Sequence, residues 1–111
     1  MQTAQPNPAR RFSTQEMAQI EIYGKDGKLL TKMGNVSYTG AFFEVISSNF
    51  VPQKEDLVRI TVNLRSVNKT HVIDAEVVWS KGLGVGVQFL NRDQMNSRIS
   101  SQLSKKNKHL N

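Results

Sequence analysis

Short runs in which apolar and polar residues alternate constrain this chain more than any other feature of its sequence. The clearest run is 57–64, where every second position from Val58 onward is apolar and the positions between are mostly polar. Successive side chains of a β-strand point to opposite faces, so this alternation predicts a strand with one buried face. Five further runs of this kind lie at about 18–22, 29–36, 41–46, 71–79 and 83–90.

The connections between these runs are short and contain no helical pattern. Gly24-Lys25-Asp26-Gly27 follows the first run, and its two glycines permit the positive φ angles of a tight turn. Lys81-Gly82 precedes the last run, whereas 47–56 contains Pro52 and is predicted to be a longer loop. Six strands connected in this way are antiparallel neighbours, and a sheet of this size avoids exposed edges by curling. We therefore predict an all-β fold, a six-stranded antiparallel β-barrel.

The C-terminal segment departs from the strand pattern. Met95, Ile99 and Leu103 follow the i, i+4, i+8 spacing of one helix face, and Asn91 is a suitable N-cap residue. We predict a helix over 91–106 whose narrow apolar stripe packs on the barrel or on a partner.

The 111 residues correspond to one domain. We divide it into a flexible N-terminal segment, the barrel, and a C-terminal helix with a basic tail. These segments cover residues 1–15, 16–91 and 92–111.

The charge of the chain is concentrated at its two ends. The net charge is +6, yet residues 16–91 contain eight basic and eight acidic residues. Basic ends fit either an anionic partner or a solvated tail. The neutral body and the lack of aromatic residues clustered on one strand face argue against nucleic acid as the partner.

Composition also indicates where the protein resides. Cysteine is absent, which excludes disulfides and thiolate metal sites and fits a reducing cytosol. The polar start, Met1 to Pro8, does not resemble a secretory signal, and no apolar stretch approaches the roughly 20 residues that span a bilayer. We expect a cytoplasmic protein without a membrane span.

Groups suited to catalysis are sparse. Alternation places His71 and Trp79 on the apolar face of the fifth run, which predicts a partly buried structural histidine and an inward-facing tryptophan. Asp74 and Glu76 share the other face, but no third group supports an acid–base role. We expect no catalytic residues, no metal and no cofactor.

The glycines at 82, 84 and 86 match half of a dinucleotide-binding fingerprint. The required last glycine is replaced by Val87, and the segment leads into a strand instead of a helix. A bulge or close packing on a barrel strand explains these glycines better.

Two polar clusters stand apart from this structural pattern. Arg10 and Arg11 lie just before the first strand, and a guanidinium pairs bidentately with phosphate or with a guanine edge. Asn35-Val36-Ser37-Tyr38-Thr39-Gly40 joins two strands, and its amide and hydroxyl groups offer short donors and acceptors. Each cluster taken alone also fits a solvated pair or a polar turn.

Together with the closing strands, these clusters resemble a known family. Residues 35–40 match the (D/N)xSxxG motif of PilZ domains, bacterial receptors for the second messenger cyclic di-GMP. The sequences Ala75-Glu76-Val77-Val78-Trp79 and Gly84-Val85-Gly86-Val87-Gln88-Phe89 are similar to the family's typical ending. The resemblance implies a six-stranded β-barrel with a C-terminal α-helix, in agreement with the strand count above.

The resemblance also implies a set of ligand-binding residues. Arg10 and Arg11 would contact the guanines and phosphates of cyclic di-GMP, Asn35 and Ser37 would hydrogen-bond the ligand, and Gly40 would leave room for it.

One position departs from the family pattern. The family's RxxxR motif requires a second arginine, but Thr14 and Gln15 stand four residues after Arg10 and Arg11. One charge-assisted contact contributes about 1.5–3 kcal/mol, or roughly tenfold to over a hundredfold in affinity. We therefore expect weakened nucleotide binding.

Two functions follow as hypotheses. In the first, the domain is a cyclic di-GMP receptor whose N-terminal segment closes over the ligand and presents a new face to a protein partner, in a motility, biofilm or secretion process. In the second, it is a degenerate PilZ domain that binds no nucleotide and acts as a protein–protein interaction adaptor.

Overall fold

The computed structural model describes residues 12–13, 16–47, 50–64 and 68–110. Seven strands and one helix occur in this part of the chain. They are β1 (Phe12–Ser13), β2 (Met17–Ile22), β3 (Leu29–Val36), β4 (Gly40–Ser47), β5 (Leu57–Leu64), β6 (Lys69–Lys81), β7 (Gly84–Leu90) and α1 (Arg92–Leu110).

The six longer strands form a closed antiparallel barrel. Their order is β3-β2-β5-β6-β7-β4, and the pairing of β3 with β4 closes the sheet on itself. In the closed barrel every long strand has a hydrogen-bonded neighbour on both sides. This is the physical advantage of a barrel over an open sheet, whose edge strands leave backbone groups unpaired. The predicted six-stranded barrel with a C-terminal helix is confirmed.

The short strand β1 was not predicted. It pairs antiparallel with the far end of β3, with Phe12 opposite Val36 and Ser13 opposite Asn35. These two residues lie inside the predicted N-terminal segment 1–15. The division of the chain into three segments stays a prediction.

Alternate residues of the long strands fill the barrel. Phe43, Ile60 and Val85 are completely buried, and the other buried residues of the interior are also apolar apart from Thr31. The hydroxyl of Thr31 donates a hydrogen bond of 2.9 Å to the Ala18 carbonyl, which satisfies the buried polar group.

The helix begins with reciprocal capping. The Gln94 N–H donates to the Asn91 side-chain oxygen at 2.8 Å, and the Asn91 N–H donates to the Gln94 side-chain oxygen at 2.9 Å. This is a capping-box arrangement that satisfies two otherwise unpaired donors. It confirms Asn91 as the N-cap, although the helix continues four residues past the predicted end, to Leu110.

The apolar stripe of α1 packs on the barrel. Met95 is buried against Leu57 and Leu90, and Ile99 packs on the same cluster. Arg98 forms an ion pair with Glu76, and the Gln102 side chain donates to the Glu55 carbonyl at 3.0 Å. Leu103, the last residue of the stripe, remains 48% exposed.

The side-chain orientations predicted for β6 are wrong at both ends of the strand. Val77 pairs with Val87 and Trp79 with Gly86, so Val78 is an extra residue, a β-bulge. The bulge turns Trp79 away from the interior, and 46% of its surface is exposed. At the other end, residues 69–72 are all exposed because neither face of the strand is covered there, and His71 is therefore not buried.

Candidate functional site

An open groove of about 590 Å³ lies on the outer wall of the barrel, where the β3–β4 turn meets β6 and β7. It is lined by the predicted motif, by two aromatic residues and by part of β7. The lining residues are Asn35, Ser37, Thr39, Gly40, Ala41, Phe42, Val78, Trp79, Gly86, Val87 and Gln88.

The β3–β4 turn brings the predicted motif residues together. The Ser37 N–H donates to the Gly40 carbonyl at 2.8 Å, and the Thr39 N–H donates to the Ser37 hydroxyl at 3.3 Å. The Thr39 carbonyl accepts a hydrogen bond from Phe89 on β7, which fixes the turn to the barrel. Asn35 is the second-last residue of β3, on the other side of the turn, and its side-chain amide has no hydrogen-bond partner among the described residues.

Gly40 has a structural reason to be glycine. A Cβ built there would collide with the backbone carbonyl of Val87, because β4 and β7 approach closely at this point. The packing of these two strands therefore requires the glycine. The expectation that it also leaves room for a ligand stays a prediction.

Two aromatic residues contribute the largest apolar side chains of the groove. Phe42 on β4 and Trp79 on β6 both lie opposite Gly86 on β7, so the three residues form one row across three strands. The ring centroids of Phe42 and Trp79 are 5.5 Å apart with an interplanar angle of 30°. The sequence reasoning missed both residues for the site, since strict alternation placed Trp79 inside the barrel.

The groove wall is uncharged. Among the described lining residues there is no acidic or basic side chain, and Asn35, Ser37, Thr39 and Gln88 supply its polar groups. Arg10 and Arg11, the two predicted anion-binding residues, lie outside the described residues, as do Thr14 and Gln15.

The paired carboxylates on β6 have structural partners. Asp74 lies 3.4 Å from Arg59 on the neighbouring strand, and Glu76 pairs with Arg98 of the helix. No group of three histidine, cysteine or acidic residues suited to a metal occurs in the described part of the chain. The described residues also contain no helix that is both long and apolar enough to cross a bilayer.

Comparison with known proteins gives the fold and the family. No curated protein matches the sequence significantly. Among solved structures, the PilZ domain of CeSA from a cellulose-synthesizing bacterium aligns with a TM-score of 0.63 and 13% identity, over 88% of this chain and 99% of that chain.

The Bacillus subtilis inhibitor of motility, MotI/DgrA, aligns with a TM-score of 0.57 and 16% identity over 92% of this chain. The alignment spans 54% of that longer protein. At these identities the two structures support the barrel fold alone.

The family follows from the sequence itself. The profile of the PilZ domain matches residues 8–104, which include the basic pair, the motif, the barrel and most of the helix. The chain therefore belongs to the PilZ domain family, whose barrel is a receptor fold for cyclic di-GMP.

Proposed function

We propose that this domain is a cytoplasmic cyclic di-GMP receptor that changes conformation on binding and thereby regulates a protein partner. The observation that carries the proposal is the convergence of Asn35 and Ser37 on one groove beside the Phe42–Trp79 pair. Amide and hydroxyl groups next to an aromatic surface suit a ligand with flat bases and many hydrogen-bonding atoms.

The uncharged wall supports a charge-pairing role for the N-terminal arginines. A ligand with two phosphates requires positive charge, and the described wall provides none. Phe12, the residue that follows Arg11, pairs with Val36, which lies inside the motif. This pairing brings the start of β1 to the motif, which supports the choice of the arginines that precede it in the sequence as the charge-pairing groups.

The missing second arginine sets an expectation for affinity. Thr14 and Gln15 carry no charge, so the domain has one fewer charge-assisted contact than the RxxxR pattern provides. We expect binding weaker by roughly tenfold to a hundredfold than a complete motif would give.

Regulation would come from the N-terminal segment. Residues before β1 that close over the ligand would change the surface offered to a partner, and the ligand would shift this equilibrium by its preference for the closed form. The likeness to the Bacillus subtilis inhibitor of motility makes a motility process the first to test, with biofilm and secretion processes next.

Calorimetric titration of the full chain with cyclic di-GMP tests the proposal. We expect binding at micromolar concentration that Arg11→Ala weakens at least tenfold and Ser37→Ala weakens less. Arg59→Ala and Ser100→Ala remove the same groups from exposed positions that do not line the groove and should leave affinity unchanged. Binding that is insensitive to both groove variants would contradict the site.

The second candidate is a protein–protein interaction adaptor that binds no nucleotide. The absent second arginine favours it, and exposed Leu103 on α1 offers an apolar contact, whereas Met95 is already buried on the barrel. A wild-type titration without heat at high cyclic di-GMP concentration would support the adaptor.

A further inference from the structure

Trp79 is the only tryptophan of the chain, and it lies in the wall of the groove with 46% of its surface exposed. A tryptophan that only sealed the barrel would be expected to face the interior, as strict alternation along β6 predicts. The bulge at Val78 instead directs the indole outward, next to the turn that carries the motif.

Close packing against Gly86 on the neighbouring strand fixes the position of the indole. A Cβ built on Gly86 would collide with the indole Nε1 and its neighbouring carbons, so the ring occupies the space that a side chain would take. Any residue other than glycine at this position would displace the indole. Gly86 is therefore a positioning residue for Trp79.

The indole is also fixed from one side by Phe42. The Phe42 ring lies within contact distance of two further glycines, because a Cβ at Gly34 or at Gly84 would approach it to 3.2 Å or 3.0 Å. Phe42 in turn stacks on Trp79 at 5.5 Å. The pair is thus held before any ligand arrives, which lowers the entropic cost of using it for binding.

We propose that the exposed part of the Trp79 indole stacks on a purine base of the nucleotide in the groove. The inference rests on the proposed function and deepens it, because it names the group that holds a base. Every base has a π-face, and stacking on an aromatic side chain is a common way for proteins to hold one.

Stacking also offsets the missing arginine. Removing a base–aromatic contact weakens binding by about five- to a hundredfold, a range that overlaps the loss of one charge-assisted contact. Unlike an arginine–phosphate contact, stacking does not depend strongly on salt concentration. The part of the affinity that Trp79 contributes should therefore persist at high ionic strength.

The test is a titration of the full chain with cyclic di-GMP by calorimetry, at low and high salt. Trp79→Leu keeps an apolar side chain but removes the π-face, and we expect about five- to a hundredfold weaker binding at both salt concentrations. Trp79→Phe should recover part of the loss. Tyr23→Leu is the matched control, since Tyr23 is similarly exposed but does not line the groove.

Fluorescence of the wild-type protein provides a second measurement that needs no variant. Because Trp79 is the only tryptophan, stacking of a guanine on it should quench the emission in a saturable way, with the same dissociation constant as the calorimetric titration. Quenching therefore tests stacking even if Trp79→Leu fails to fold. Urea unfolding of that variant would show whether it folds.

The two proposals fail in different ways. If cyclic di-GMP binds the wild type but neither Trp79→Leu nor the emission responds, stacking is overturned and the receptor proposal stands. If the wild type does not bind at all, both are overturned. Loss of affinity in Trp79→Leu that Trp79→Phe restores, together with saturable quenching, supports stacking.

Discussion

The indole of Trp79 lies over Gly86 of the neighbouring strand, in the place where any other residue would put its side chain. This relationship requires both the glycine on β7 and the bulge on β6, because in a regular strand that ran through Val78 without a bulge the indole would point into the barrel. A single β-bulge thus moves Trp79, the largest side chain of the protein, from the expected core to the wall of the groove.

Gly40→Ala should destabilise the barrel by about 1–3 kcal/mol, the usual cost of forcing an extra methyl group into a packed site. The added Cβ would meet the Val87 carbonyl, and backbone cannot move aside as easily as a side chain. Gly34→Ala is the matched control, since the nearest atom to its Cβ would be a carbon of the Phe42 ring at 3.2 Å and not a backbone carbonyl. Urea unfolding measures both, and an equal loss in the two variants would contradict the explanation.

Met95→Ala should lower the free energy of unfolding by about 2–4 kcal/mol, because it leaves a cavity between α1 and the barrel. Leu103→Ala, further along the same helix face, should change it by less than about 0.5 kcal/mol, because Leu103 is half exposed. Thermal unfolding followed by circular dichroism compares the two. Equal effects would mean that the stripe packs along its whole length.

Arg98→Met should destabilise the protein by about 1 kcal/mol, since it removes the ion pair with Glu76 but keeps the aliphatic stem. The substitution leaves the Glu76 carboxylate, only 16% exposed, without its partner. The Arg98 side chain is 43% exposed, so solvent screens the pair and limits the loss. Arg59→Met breaks the pair with Asp74 on the barrel wall and is the control, with a smaller expected loss because Arg59 is more exposed. A double-mutant cycle of Arg98→Met with Glu76→Gln should show coupling of the two residues; additive losses would argue against the pair.

Thr31→Val should cost about 1 kcal/mol, because the shape is kept while the Ala18 carbonyl loses a buried hydrogen bond. The same substitution at Thr61, on the partly exposed face of β5, should be nearly neutral. Urea unfolding of both variants checks this. A neutral Thr31→Val would show that the hydroxyl contributes nothing net.

Local patterns in the sequence predicted most of the fold. Alternation identified the six long strands, the glycines at 24 and 27 adopt the positive φ angles expected of the turn, and Asn91 caps the helix. Each of these features depends on residues within a few positions of one another, which is why the chain alone reveals them.

The lining of the groove was predicted only in part. The motif 35–40 was visible, and the turn brings Asn35, Ser37 and Gly40 to one groove. Phe42 and Trp79 were missed, because their proximity depends on three strands that are distant in sequence. The spacing of Gly84 and Gly86 was the available signal, since glycines on a strand indicate close approach of another group.

By itself the sequence determined the strands, the turns, the helix cap and the motif of the family, because those depend on local conformational preference and on alternation. Only the tertiary structure decided that Trp79 faces outward, that His71 is exposed and that Met95 is buried while Leu103 is not. These outcomes depend on register and on which faces are covered, and both are set by strands and a helix that meet only in the folded chain.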